Sequence, residues 1–502
     1  MDYDLFTFHP LTAVIGFAAV GLLWLLRKPK KNLPPGPPSW PIVGTMLSFN
    51  LVDLFDAAKV RKLSDKYGDI ITLTVLGNHT IVLNSYDVIR EAFINNPLDF
   101  ANRGISHLFM QRQLSPDCGG ILVRDFDDGG RQLRSTSLTI LRDLGAGRAV
   151  MEDVIAHEAK VLGDVFESHK TEAFEPTYPV TAAIANVILQ ITVSQRYEHT
   201  DVRLQKLIHD TDTFMANARV TVLLDAIPTA RLLPKLRQLY KDLLESNSGM
   251  IDFMWVHAQR LMSSYSDGAN SNFVESFLTN ALRNKTDKKR LDKRESHDLK
   301  YLLRDFIVAG SETTTSSLSW TLITLANNPA VQEKLHSAIN DVIGDSRTYR
   351  LRDNIPYLDA FVWEIQRFHT IAPTGVPHAV STEGEGRLRG YTIPKDATIL
   401  FNLNGVHNNK TTWGDPEVFR PERFLNDDGE FVKHPHVIPF GIGKRSCLGE
   451  LLARQELYIF TAMISQRFKI LPEEGTDKID SARKLSFANV PMPFKIRAVP
   501  RN

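Results

Sequence analysis

A single cysteine set between glycines constrains this chain more than any other feature: Phe440-Gly-Ile-Gly443-Lys-Arg445-Ser-Cys447-Leu-Gly449-Glu450. A thiolate that ligates a metal needs a backbone bent around the sulfur, N–H groups aimed at it and positive charge nearby. Gly443 and Gly449 allow the tight turn and the close approach of a flat macrocycle. A helix expected to begin near Leu448 would turn its positive end toward Cys447 and favour the ionised thiol. Arg445 is suited to a carboxylate on the bound group. Isolated cysteines are more often inert and buried, but here the fixed neighbours argue for ligation.

Phe440, Gly443, Arg445, Cys447 and Gly449 meet every fixed position of Phe-x-x-Gly-x-Arg-x-Cys-x-Gly, and in this the chain resembles the cytochrome P450 haem-thiolate monooxygenases. The resemblance runs from the amino-terminal segment to the carboxyl end. It implies a mainly α fold with small β-sheets and haem b (iron protoporphyrin IX) as cofactor. Cys447 would be the axial ligand of the iron, with Phe440, Gly441, Gly449 and Ala309 beside the haem.

A length of 502 residues would by itself suggest roughly three domains, whereas the resemblance implies one haem-binding catalytic domain over 45–502. With 59 basic and 58 acidic residues the formal charge is +1, so no global field points to nucleic acid or to a strongly acidic partner. Cys118 and Cys447 are the only cysteines, which excludes a disulfide framework and suits a reducing compartment. Cys118, followed by two glycines, reads as structural. The basic run from Lys285 to Arg294, broken by Asp287 and Asp292, reads as a solvated loop.

Leu5 to Leu26 carries no Asp, Glu, Lys or Arg. As a helix it would span roughly 33 Å, enough to cross a hydrocarbon core. Asp2 and Asp4 precede it, and Arg27, Lys28, Lys30 and Lys31 follow, which by the positive-inside rule leaves the rest of the chain in the cytosol. Residues 1–32 therefore read as a membrane anchor with a basic flank. Residues 33–44, Leu33-Pro-Pro-Gly-Pro-Pro-Ser-Trp-Pro-Ile-Val-Gly44, read as a stiff hinge. Both resemble microsomal members of the family, implying a single-pass protein of the endoplasmic reticulum membrane.

Apolar periodicity predicts helices near 150–170, 200–218, 235–262, 298–326 and 356–370. Strand patterns predict one hairpin from 70–75 with 80–83, and another from 391–393 with 398–401 through Pro394-Lys-Asp. The polar stretch 263–272 reads as a loop, and no internal repeat is present.

Four constellations bear on the haem reading. Ala309-Gly310-Ser-Glu312-Thr313-Thr314 lies inside the 298–326 helix, with Ala309 and Thr313 on one face. It resembles the family's oxygen-activation motif, which implies Thr313 and Glu312 as catalytic groups that hold water and feed protons. Glu364 and Arg367 stand one turn apart, and the resemblance adds Arg423 to make a structural ion network behind the cysteine loop. It also implies Arg445, His378, Arg134 and Arg103 as partners of the haem carboxylates. One position departs from the family, which commonly places a tryptophan four residues before the arginine at 134, where this chain has Gly130.

The resemblance further implies a substrate pocket from Phe306, Ala309, Thr374, Val376, Ala488 and Val490, with 207–228 as a lid. These apolar or small residues suit a lipophilic substrate: a steroid, a fatty acid or a foreign compound. Electrons would come from NADPH through NADPH–cytochrome P450 reductase, with cytochrome b5 a second candidate donor and Lys444, Arg131 and Arg142 as docking cations. The motif details resemble the animal drug- and steroid-oxidising group. Two alternatives stand beside the monooxygenase: a peroxide isomerase or peroxygenase of the same fold, and a non-enzymatic haem-binding sensor.

Overall fold

The proline-rich run of the described chain lies along a sheet. Thr72 N donates to Pro35 O at 2.8 Å and Thr45 Oγ1 to Thr74 O at 3.0 Å, and a Cβ at Gly36 or Gly44 would overlap the Thr72 or Thr74 carbonyl. The computed structural model describes residues 32–40, 43–49, 57–75, 77–103, 119–144, 149–218, 224, 228–283, 285, 291–344, 347–381, 384–484, 486 and 488–501. The anchor expected over 5–26 and Cys118 lie outside these residues, and among the described residues no helix is long and apolar enough to cross a membrane.

In chain order, α1 (Ala57–Tyr67) leads to β1 (Ile70–Val75) and β2 (Asn78–Leu83), and α2 (Tyr86–Arg90) continues as a π-helical stretch over Glu91–Asn95. The helical body follows as α3 (Asp128–Asp143), α4 (Ala149–Ser168), α5 (Thr177–Val193), α6 (Val202–Asn217) and α7 (Pro234–Ser263). It continues through α8 (Phe273–Leu282), α9 (Lys293–Asn327), α10 (Pro329–Ile343) and α11 (Pro356–His369). Next come β3 (Gly386–Leu388), β4 (Tyr391–Ile393), β5 (Thr398–Phe401), α12 (Leu403–His407), α13 (Lys410–Trp413) and α14 (Glu450–Arg467). The chain closes with β6 (Phe468–Leu471), β7 (Arg483–Lys484), β8 (Val490–Pro491) and β9 (Arg497–Pro500). This is the mainly α architecture with small sheets that the sequence implies.

The first hairpin forms as expected, with Ile70 opposite Leu83 across β1 and β2. The second does not. β4 pairs antiparallel with β3 across Arg389 and Gly390, both at positive φ, which is the backbone a two-residue turn requires. β5 instead joins β2 in parallel, Thr80 opposite Thr398. Ile399 and Phe401 thereby enter a core with Ile81, Leu83 and Phe93, and that burial outweighs the local pairing through Pro394.

The five predicted helices all occur, with ends displaced by a few residues. α9 starts at Lys293 rather than 298, because Asp292 and Glu295 form a capping box. Of the run 285–294, Lys293 and Arg294 lie in the first turn of α9, Lys285 pairs with Asp292 at 3.4 Å, and 286–290 lie outside the described residues. α5 lacks an amphipathic pattern because nearly every residue from Val180 to Val193 is buried, so no polar face interrupts the sequence. α9 packs against α5, α7 and α14, and α14 against α4, so α9 runs through the middle of the largest apolar core.

Candidate active site

The cysteine loop is closed by its own backbone. Cys447 N donates to Phe440 O at 2.8 Å, and Gly441 and Gly443 hold φ of 69° and 84°. A Cβ at Gly443 would strike the Phe93 carbonyl, so glycine is required there by conformation and by space. Gly449 caps α14, and its N–H donates to the Cys447 sulfur, the arrangement expected of a helix mouth, with the helix itself starting at Glu450. Burial pushes the thiol up, and the Gly449 N–H and the nearby Arg134 and Arg454 work against that shift. Protein atoms crowd the side chain, yet the residue is exposed. Behind the loop the Arg454 guanidinium stacks between Phe440 and Trp363, 4.8 and 4.9 Å from the ring centres.

Beside the sulfur stands a concentration of buried cations. Arg134 donates to the carbonyl of Ser446, one residue before the cysteine. Arg445 donates through Nε to Ala101 O at 2.9 Å and through Nη2 to Arg124 O, with its guanidinium over Phe126. Arg103 Nη1 lies 3.0 Å from His378 Nε2, and His378 Nδ1 lies 2.9 Å from Phe100 O. The partners assign the proton to Nδ1, with Nε2 accepting from Arg103. Burial, then the Arg103 charge, holds His378 well below its usual pKa, so it stays neutral.

Burial followed by Arg134 lowers Arg445 to about 10, and burial followed by Arg445 and Arg134 holds Arg103 well below its usual value. Asp125 and Asp127 offset these charges only in part, and Arg103 Nε is buried without a partner. Three crowded guanidinium groups and an accessible sulfur at a helix mouth fit a metal macrocycle that carries carboxylates.

On α9, Ala309 is exposed although most of its helix neighbours are buried. The Thr313 hydroxyl donates to Ala309 O at 2.7 Å, the i−4 bond that a threonine in a helix commonly makes. Glu312 accepts from Ser486 Oγ at 3.3 Å, while its Oε2 is buried and unpaired. Burial and then the charge of Asp212 on α6 raise Glu312 to about 7. One residue further on, Thr314 donates to Glu456 Oε2 of α14 at 3.3 Å. Burial raises Glu456 to about 8. Sequence reasoning missed Glu456, although a lone carboxylate in the apolar run Leu457-Tyr-Ile-Phe460 that follows it is a readable signal.

Phe306 is half-buried against Phe273, Val376 and Val490 are half-buried, Thr374 is buried, and Ala488 lies in the main core. Of the lid expected over 207–228, the described part is the end of α6 with 218, 224 and 228. Glu364, Arg367 and Arg423 meet in one buried network: Arg367 bonds both Glu364 oxygens at 2.7 Å, and Arg423 Nε reaches Oε1 at 3.3 Å. Lys444, Arg131 and Arg142 are exposed. Arg124 was not anticipated; it is buried, and its carbonyl receives Arg445.

The cytochrome P450 family model matches residues 34–498. The chain is 32% identical to cytochrome P450 2H1 of Gallus gallus over 95% of its own length and 96% of the relative's. It is 30% identical to cytochrome P450 2E1 of Oryctolagus cuniculus, covering 98% of both chains, and 30% identical to cytochrome P450 2J2 of Homo sapiens, covering 98% and 97%. Together with the cysteine loop at the mouth of α14, these matches make the chain a member of the cytochrome P450 family, a haem-dependent oxidoreductase of the monooxygenase class.

Proposed function

We propose that this P450 inserts one oxygen atom of O2 into a lipophilic small molecule, with electrons passed from NADPH by NADPH–cytochrome P450 reductase. The observation that carries the reading is the accessible Cys447 sulfur, bonded by the Gly449 N–H beside the Arg103, Arg134 and Arg445 cluster. Haem bound there would supply the redox chemistry of dioxygen.

Cys447 would ligate the haem iron and the three arginines would hold its carboxylates, with His378 keeping Arg103 in place. Phe440, Gly441, Gly449 and Ala309 line the cofactor. At neutral pH Glu312 is poised to hold or release a proton, and Thr313 orders water from the helix surface. Phe306, Thr374, Val376, Ala488 and Val490 shape an apolar substrate space under α6. Glu364, Arg367 and Arg423 are structural, locking the segment behind the loop. Residues 1–32 anchor the chain in the endoplasmic reticulum membrane, and 33–44 link the anchor to a cytosolic domain. Exposed Lys444, Arg131 and Arg142 meet the acidic face of the reductase, and cytochrome b5 is a second donor.

A peroxide-driven reaction is the second reading, favoured by one observation: the Thr313 hydroxyl is spent on Ala309 O. The first test is the spectrum of the reduced, carbon-monoxide-bound protein and of Cys447→Ala. A long-wavelength Soret band lost in the variant is expected, and a wild-type band at the neutral-ligand position would overturn the thiolate assignment. Product formation that needs NADPH and reductase, and is not supported by peroxide alone, separates the two readings.

A further inference from the structure

Arg124 occupies a seat that the chain makes by leaving out side chains. Its side chain is 5% exposed and lies over the start of α3. A Cβ at Gly129 would collide with Arg124 Nη2 and reach within 2.5 Å of Arg294 Nη2, whereas one at Gly130 would collide with the Asp125 carbonyl and stand 3.4 Å from Arg124 Nε. Gly129 therefore gives the guanidinium its room, and Gly130 gives room to the backbone of the loop before α3. Two carboxylates hold it there: Asp298 of α9, 3.2 and 3.4 Å from Nη1, and Asp127, 3.4 Å from Nε. Asp127 also caps α3 by accepting from Gly130 N at 2.6 Å.

The other end of the same residue faces the cofactor site. Arg124 O accepts from Arg445 Nη2, whose Nε is bound to Ala101 O. Its neighbour Asp125 accepts from Arg103 N at 2.9 Å, and Phe126, under the Arg445 guanidinium, donates from its N–H to Asn102 Oδ1 at 2.9 Å. Asp305, two turns along α9 from Asp298, receives the N–H groups of Ile121 and Leu122 at 2.8 and 2.9 Å. The loop before α3 is thus fastened to α9 at two carboxylates, and from it hang the contacts that aim Arg445 and Arg103.

We propose that Arg124 is a positioning residue for the cofactor's carboxylates, its guanidinium fixed in the seat beside Gly129 by Asp298 so that its carbonyl aims Arg445. The proposal rests on the assignment of Arg445 to a haem carboxylate. A link through Arg445 matters only to a carboxylate-bearing ligand, and that gives the test.

The rate of haem transfer from the full-length ferric protein to excess apomyoglobin is measured with iron protoporphyrin IX and with its dimethyl ester, whose carboxylates are blocked. Arg124→Gln should speed the loss of the natural haem about tenfold or more and leave loss of the ester within about twofold. Gly129→Ala should reproduce the effect in wild type and add little in the Arg124→Gln background, where the seat is empty. Asp298→Asn, which leaves the loop sequence intact, should show the same selectivity if Arg124→Gln does not fold. An equal acceleration for both haems, or none in either variant, overturns the proposal. Equal wild-type loss of haem and ester would instead remove the carboxylate assignment on which it stands.

Discussion

The Arg367 guanidinium bonds both oxygens of Glu364 at 2.7 Å, and both side chains are wholly buried. Arg420 N adds a bond to the same carboxylate at 2.9 Å, and Arg367 Nη1 is taken up by His407 O and Pro416 O at 2.9 and 3.1 Å. An i,i+3 pair on a surface would contribute a few tenths of a kcal/mol. Here the two charges are out of water, and each depends on the other.

Replacing Arg367 with methionine should therefore cost about 3–5 kcal/mol, because it takes away the two-bond partner of a buried carboxylate and leaves it only Arg423 Nε and Arg420 N, both on one oxygen. Denaturant unfolding of the haem-loaded protein measures this, and Glu364→Gln in the same background should recover part of the loss. A cost under about 1 kcal/mol would refute the dependence of Glu364 on Arg367.

Glu456 sets a pH dependence of stability. Its pKa is raised from the ordinary 4.5 to about 8 by burial, with only the Thr314 hydroxyl acting against the shift. The folded state binds its proton more tightly than the unfolded state, so this stabilisation is complete below about pH 4.5 and is lost as pH rises through about 8. Glu456→Gln should flatten the fall in stability between those limits, by up to a few kcal/mol. Thermal unfolding across pH 5–9 decides it: wild-type and variant curves that run parallel would refute the shift.

Glu312 should act on turnover in the same pH range. With its pKa raised to about 7, the carboxyl is mostly protonated below that pH and mostly charged above it. The fraction of NADPH consumption that appears as product should fall as pH rises through 7, and Glu312→Gln should lower that fraction and abolish its pH dependence. Coupling that stays constant from pH 6 to 8.5 in wild type would exclude Glu312 as the titrating group.

The two glycines flanking the cysteine should fail differently. Gly443→Ala forces φ 84° and the Phe93 carbonyl on a side chain, and should cost about 1–3 kcal/mol even without haem. Gly449, at φ −89° with no protein atom within 4 Å of a built Cβ, should accept alanine without loss of fold. Gly449→Ala is then expected to lower haem content alone, through crowding of the macrocycle. Apoprotein melting temperatures and haem-to-protein ratios separate the two, and equal melting losses would contradict this division.

The amino-acid sequence by itself determined what depends on neighbours along the chain. The bent loop around Cys447, the hairpin over 70–83 and the amphipathic helices follow from glycine placement and from the spacing of apolar residues, which act over a turn or two. So does the Glu364–Arg367 pair, whose spacing places both groups on one helix face. Tertiary packing decided the rest. β5 left its sequence neighbour for β2 because Ile399 and Phe401 are buried only there, and α5 shows no helical pattern because it is enclosed on every side. Burial, not sequence position, raised Glu456 and Glu312, since desolvation depends on atoms that other segments supply. The seat of Arg124 joins residues 124, 129 and 298, which only the fold brings together, whereas the glycine at 130 answers to a nearer neighbour, the Asp125 carbonyl, which a Cβ there would strike.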